Sequence, residues 1–363
     1  QIKHFMGTLR SGRVVDHATL GARVGRDEDG RVVVNDILDG SDAYRRGLRE
    51  GDEVVSFGGR SIGAPNEFKN VLGIFPKGWR VPLSYRRDGE RRDILVRLAG
   101  VHGQEELLEK AGGRKKARPH PIPKPDGEPK KPAPDKDAKP PAKPAKPASP
   151  PIPKIAAEHY KQKRGFSNYY YNELEQNRVW NAWNPRLNLG GSRGDWIISG
   201  PLSGGGEYRL HLSNDAASLM LPSTEIKWTA GNELGMSLLP EHSGGLLPAL
   251  FLWRRLAVEG LDLFGDVYYY GTAPLAGHQG PADVLVGSHK GVECRFYFDP
   301  ADGRLLALEM FPDEESDPCE VYFSDYGGKD GRSPPGRMVV RFGDETFATL
   351  RIEGFKAEEK GED

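Results

Sequence analysis

Residues 114–154, RKKARPHPIPKPDGEPKKPAPDKDAKPPAKPAKPASPPIPK, constrain the fold of this chain more than any other stretch, because they cannot belong to a packed domain. Proline, lysine and alanine dominate, and large apolar side chains are almost absent. Burial therefore cannot offset the entropy of ordering. The segment is expected to run as an extended, largely polyproline-like tether, reaching on the order of 120 Å if stretched at ~3.1 Å per residue. Composition of this kind also suits an SH3-type ligand or a contact with an anionic surface. The tether divides 363 residues into two parts, each long enough to bury its own core.

Charge is balanced, 51 basic against 52 acidic residues, so no overall field points to nucleic acid or an anionic membrane as partner. No apolar run approaches the roughly 20 residues that span a bilayer. The opening QIKHFMGTLRSG lacks the basic–apolar–small order of a signal peptide. Ile2, Phe5, Met6 and Leu9 instead fall at helical spacing, predicting a short amphipathic helix at the start of a chain cut from something longer. Two cysteines, Cys294 and Cys319, are too few for a disulfide framework.

Residues 13–99 read as a compact αβ unit. ARVGRDEDGRVVVNDIL predicts two strands about the Asp29-Gly30 turn. SDAYRRGL predicts a one-turn helix with Ser41 at the N-cap and Gly47 at C′. DEVVSFGGRSI turns at Gly58-Gly59. PNEFKNVLGIF places Phe68, Val71, Leu72 and Phe75 on one helical face behind Pro65. WRVPLSYRRDGERRDILVRL closes the unit as a hairpin around Asp88-Gly89. A polar helix over 101–113 leads into the tether.

From residue 155 the pattern changes. A helical stretch, broken near Gly165, precedes strands DWIISGPL, EYRLHLS, ASLMLPS and EIKWTAG, then an apolar helix GLLPALFLWRRL. A further run of strands follows to the end, giving an α+β architecture. Val292, Cys294, Phe296 and Phe298, then Leu306, Leu308 and Met310, then Cys319, Val321 and Phe323 alternate with other residues. Three successive antiparallel strands would put both cysteines on the inner face but on strands one and three, roughly 9.5 Å apart. That exceeds the reach of a disulfide, so two buried thiols are expected.

The run GLREGDEVVSFGGRSI resembles the PDZ domain of the HtrA/Deg (trypsin-like) serine proteases: Gly47, Leu48, Gly51, Asp52, Val54, Gly59 and Ile62 fit its pattern. GRVVDHATLGARV resembles the hinge that joins the protease domain to that PDZ domain, with one extra residue and with Asp16-His17 where Arg-Gly is common. The resemblance implies a small β-barrel or sandwich with two helices over 13–100. Residues 1–12 would then be a residual helix and hinge of an upstream protease domain. It further implies a groove that takes unfolded or C-terminal peptides by strand addition. Backbone N–H groups near Thr19, Leu20, Gly21 and Ala22 would meet a terminal carboxylate. Ala22, Arg23 and Val24 would pair with the ligand, and Phe68, Val71 and Leu72 would line the pocket for its last side chain. Phe68 and Leu72 as plain core is the competing reading.

Residues 155–363 resemble the LolA-type lipoprotein-carrier fold through GFSNYYYNELEQNRVW, VYYYGTAPL, FYFDPADGRLLALEM, DPCEVYFSDY and DGRSPPGRM. That implies a curved antiparallel sheet with covering helices. Leu250, Leu252 and Trp253 are candidates either to line a lipid cavity or to fill a solid core. Lipid or lipoprotein binding is the alternative function.

No catalytic set is legible. Ser243 in EHSGGLL lacks the Gly-Asn that precedes the nucleophile of a trypsin-like enzyme and stands before a helix. DEESDPCE lacks the alternating ligand spacing of a calcium loop and reads as a solvated hairpin loop. No Cys/His spacing predicts a metal, and no cofactor is expected. The resulting expectation is a peptide-binding regulatory arm of a serine endopeptidase. An extracytoplasmic location is implied by the resemblance alone.

Overall fold

The computed structural model describes residues 2–103, 106–107, 154–186, 194–202, 205–231, 233–327 and 333–358. The tether before Lys154 and most of the helix expected over 101–113 lie outside them. Helix α1 (Ile2–Arg10) comes first. The N-terminal unit follows as β1 (Ala18–Thr19), β2 (Ala22–Arg26), β3 (Val32–Ile37), α2 (Asp42–Arg45), β4 (Glu53–Phe57), β5 (Arg60–Ser61), α3 (Pro65–Leu72), β6 (Arg80–Arg87), β7 (Glu90–Arg97) and β8 (Ala99–Gly100). Its sheet runs β2-β3-β4-β6-β7, with β5 off β4, while β1 pairs β8. The sheet is open and does not close into a barrel. Local chemistry places its turns: Ser41 accepts the Tyr44 N–H at the start of α2, and Pro65 is the first residue of α3.

In the C-terminal unit α4 (Lys154–Ala157) and α5 (Tyr169–Trp183) are separated by a non-helical stretch around Gly165, as the break predicted. A five-stranded antiparallel sheet contains β9 (Trp196–Pro201), β10 (Glu207–Leu212), β11 (Ala216–Leu221), β12 (Thr224–Thr229) and the late β20 (Gly354–Ala357). Helix α6 (Leu246–Phe264) follows β12. Then β13 (Asp266–Pro274), β14 (Pro281–His289), β15 (Val292–Phe298), β16 (Leu305–Phe311), β17 (Cys319–Ser324), β18 (Arg337–Phe342) and β19 (Glu345–Arg351) form a seven-stranded antiparallel meander. β19 and β20 are consecutive in the chain but edge different sheets, so the two sheets join there. Together they wrap α6, and the core holds side chains from both.

Cys294 on β15 and Cys319 on β17 both lie opposite Met310 of the intervening β16. Both are buried free thiols. Burial pushes both of them up, away from thiolate formation. One inner-face assignment is corrected: Leu305, not Leu306, joins that core, and Leu306 packs on the opposite side. The register shifts between Tyr297 and Phe298, and the extra residue in β16 inverts the alternation there.

The predicted apolar face of α1 is also corrected. Met6 and Leu9 are 42% and 61% exposed, whereas Gly7, Thr8 and Ser11 are buried. Small residues win because α1 lies backbone-to-backbone on β13. A Cβ on Gly7 would stand 2.5 Å from the Thr272 amide, and one on Gly271 2.8 Å from that of Thr8.

Candidate peptide groove and the surface behind it

Among the described residues, β2 has a strand neighbour on one side only, β3, and α3 lies beside its other side. The Leu38 N–H donates to the Gly21 carbonyl at 2.8 Å, so Gly21 turns its carbonyl towards β3. Alternation along the strand then directs the backbone groups of Ala22 and Val24 away from β3, towards the open side. Arg23 turns its backbone inward and leaves its side chain exposed. Gly21 has φ +75° and needs to be glycine twice over, since a Cβ would also sit 2.5 Å from that of Ser41.

The predicted site residues come together but divide into two groups. Leu20, Phe68 and Val71 are almost wholly buried, at 2%, 2% and 5% exposure. Phe68 packs on Phe57 with ring centroids 5.0 Å apart, so it belongs to the floor under the groove. Ala22, Val24 and Leu72 are half-buried and remain accessible along its walls. At the end of β1, the Thr19 hydroxyl accepts the Gly21 N–H at 3.1 Å, which fixes the turn into β2.

Two residues outside the predicted set shape the groove. Arg26 donates to the carbonyls of Gly30 (2.6 Å) and Gly63 (3.2 Å), bridging β2 to the residue leading into α3 and closing the far end. Asp16 gives the Asp16-His17 departure a structural role. Its carboxylate accepts the His17 N–H, the His102 N–H and, at 2.7 Å, His102 Nδ1. Burial raises Asp16, and the His102 contacts outweigh it, holding the carboxyl below its ordinary range. This latch ties the segment after β8 to the segment before β1.

The opposite side of the unit is covered. β13–β16 present Tyr270, Ala273, Val284, Val286, Tyr297 and Ala307 from the outer face of the seven-stranded sheet, and these share a core with the N-terminal unit. Trp79 Nε1 donates to the Thr272 carbonyl at 2.9 Å, and the Tyr270 hydroxyl to that of Lys77. Buried charges cross the same contact. Glu309 accepts from Arg97 at 2.6 Å and from the Tyr297 hydroxyl at 2.6 Å, while Arg80 pairs with Glu320. Burial raises Glu309, but Arg97, Arg80 and Arg295 overcome this and hold it at about 2. The segment before β1 is likewise fixed, with the Arg13 guanidinium 4.5 and 4.7 Å from the ring centres of Tyr268 and Tyr270.

In the acidic loop after β16, Asp313, Glu314 and Glu315 are exposed, as expected of a solvated loop, and Asp317 is the exception. Asp313 caps its own loop by accepting the N–H groups of Glu315 and Ser316. Asp317 instead crosses to α2, 2.5 Å from Arg46 and 3.2 Å from Arg45. Ser243 is fully buried, and its hydroxyl accepts the N–H groups of Gly245 and Leu246 at the start of α6. Leu250, Leu252 and Trp253 are buried between the sheets. Trp253 packs edge-on against Trp196 (5.1 Å) and lies 4.8 Å from Phe323.

Residues 18–98 match the family model of the PDZ domain. They are a PDZ domain. The relative "Probable periplasmic serine endoprotease DegP-like" of Chlamydia trachomatis serovar D is 29% identical over 84 residues, which cover 23% of this chain and 17% of that protein. The chain thus spans less than a fifth of the length of that relative. Among solved structures, the serine endoprotease from Yersinia pestis is 16% identical, covering 28% of this chain and 35% of its own, with a TM-score of 0.23. A LolA superfamily protein from Nitrosomonas europaea is 10% identical, covering 51% of this chain and 94% of its own, with a TM-score of 0.32. The PDZ domain carries β2 and α3, and the groove lies within it.

Proposed function

We propose that this chain is the peptide-binding arm of an HtrA-type serine endopeptidase, and that its PDZ domain captures the C-terminal segment of an unfolded or partly unfolded protein. The ligand lies antiparallel along β2, exchanging main-chain hydrogen bonds with Ala22 and Val24. Its terminal carboxylate meets the turn around Gly21, and its last side chain lies between β2 and Leu72. The observation that carries this reading is the free edge of β2 beside α3.

The other exposed edge of the same sheet sharpens it. β7 reads Glu90, Arg91, Arg92, Asp93 at its start, all exposed, which is how edges are blunted against strand addition. β2 carries fewer charges, exposing Arg23 and Arg26 while Ala22, Val24 and Gly25 are half-buried. The peptide-cleaving activity belongs to a protease domain acting with this arm. An extracytoplasmic setting is part of this reading, supported by the periplasmic naming of the relatives. Titration of the full chain with a fluorescent peptide ending in an apolar residue tests the reading. The free acid is expected to bind at least tenfold more tightly than its C-terminal amide, and equal affinities would overturn a terminal-carboxylate groove.

A further inference from the structure

The acidic loop between β16 and β17 belongs to the C-terminal unit, yet it reaches the PDZ domain next to the carboxylate turn. We propose that Asp317 is a positioning residue for that turn, so that the C-terminal unit sets the affinity of the groove. This rests on the peptide-binding reading above and adds a control element to it.

The connection is a short series of contacts. Asp317 holds Arg46 at 2.5 Å, and Arg46 is a buried side chain that also reaches Asp344 (3.1 Å) and Asp42 (3.3 Å). Asp42 is the first residue of α2 and accepts the Arg97 backbone N–H at 2.6 Å. Ser41, immediately before it, caps the helix and donates its own N–H to the Leu38 carbonyl at 2.9 Å. Leu38 in turn donates to Gly21. Ser41 also stands against Gly21 so closely that no Cβ fits between them. Any tilt of α2 therefore moves the turn itself. A one-turn helix has few hydrogen bonds of its own, so its pose depends on what holds its ends. Asp317 and Asp344 supply that hold from outside the PDZ domain.

The docking of the two units does not depend on this loop. It rests on the apolar contact with β13–β16 and on the Glu309 and Glu320 pairs. Asp317→Ala should accordingly leave the units docked and free the turn. In the full chain, we expect Asp317→Ala to weaken the free-acid peptide about 5- to 50-fold, within the usual range of site coupling. The amidated peptide should change less than twofold, and Asp317→Glu should recover part of the loss. Without peptide, hydrogen exchange of amides 19–22 should quicken in Asp317→Ala while that of β14–β16 stays unchanged. Equal losses for acid and amide, or no loss for either, would overturn the proposal. Should the wild-type chain bind neither peptide, the peptide-binding reading fails on its own. Exchange at 19–22 then still decides whether Asp317 holds the turn: faster exchange supports it, and unchanged exchange refutes it.

Discussion

The PDZ domain has two sides of opposite character. Its back, formed by β6, β7 and the turn before them, is saturated: Trp79, Arg80 and Arg97 each find a partner on the outer sheet face of the C-terminal unit. Among the described residues, its groove side leaves a strand edge without a neighbour, bridged to Gly63 at one end by Arg26. Paired charge and packed rings mark a permanent contact, whereas unpaired backbone marks a site that awaits an occupant. On the proposed reading, the two sides serve different tasks, attachment and capture.

The largest expected effect tests the saturated side. Glu309→Ala leaves the guanidinium groups of Arg80, Arg97 and Arg295 crowded in the contact without their central carboxylate. Removing one partner of a buried charge cluster costs about 3–5 kcal/mol. The urea midpoint of the full chain should fall accordingly, and Glu309→Gln, which keeps the shape and a hydrogen-bonding oxygen, should fall less. A loss below about 1 kcal/mol for the alanine variant would mean that the arginines reach water, and the contact would not be the permanent one.

The same carboxylate makes the contact sensitive to acid. Its folded-state value lies at about 2 against an ordinary value of 4.5. A lowered acid stabilises the folded form fully above its unfolded value and loses that contribution as pH falls towards the folded one. Docking should therefore weaken between about pH 4.5 and 2. Urea midpoints measured across this window should drop more steeply for the wild type than for Glu309→Gln. Parallel curves would place the acid response elsewhere.

How much of this was legible in the sequence depends on distance along the chain. The turn at Asp88-Gly89, the cap at Ser41 and the start of α3 at Pro65 follow from neighbours within a few residues, and they stand where the sequence places them. The two thiols could be read because alternation runs unbroken from Val292 to Phe298 and from Cys319 to Phe323. Leu306 could not, since a one-residue bulge leaves no mark in composition. Glu309, Glu320 and Asp317 were hidden for another reason. Their partners Arg97, Arg80 and Arg46 lie more than 200 residues earlier, and an outward acid on a strand reads as solvent-facing until a second surface covers it. The groove was legible as a motif, but the division of its residues into floor and wall was not. Phe68, Val71 and Leu72 share one helical stripe, and only the packed position of Phe57 distinguishes them.

The smallest effect tests whether attachment comes from the contact or from the tether. A tether raises the effective concentration of one unit near the other, and that term depends on its length and stiffness. A proline-rich segment and a glycine/serine chain of the same length differ in stiffness, though only weakly in the free energy of bringing two ends together. If the back of the PDZ domain is held by its own contacts, replacing residues 115–150 with a glycine/serine segment of equal length should leave the urea midpoint almost unmoved, within about 0.5 kcal/mol. Hydrogen exchange in β14–β16 should likewise stay protected. A large drop would transfer the holding role from Glu309 and its arginines to the proline-rich segment, and the two sides of the domain would no longer differ in kind.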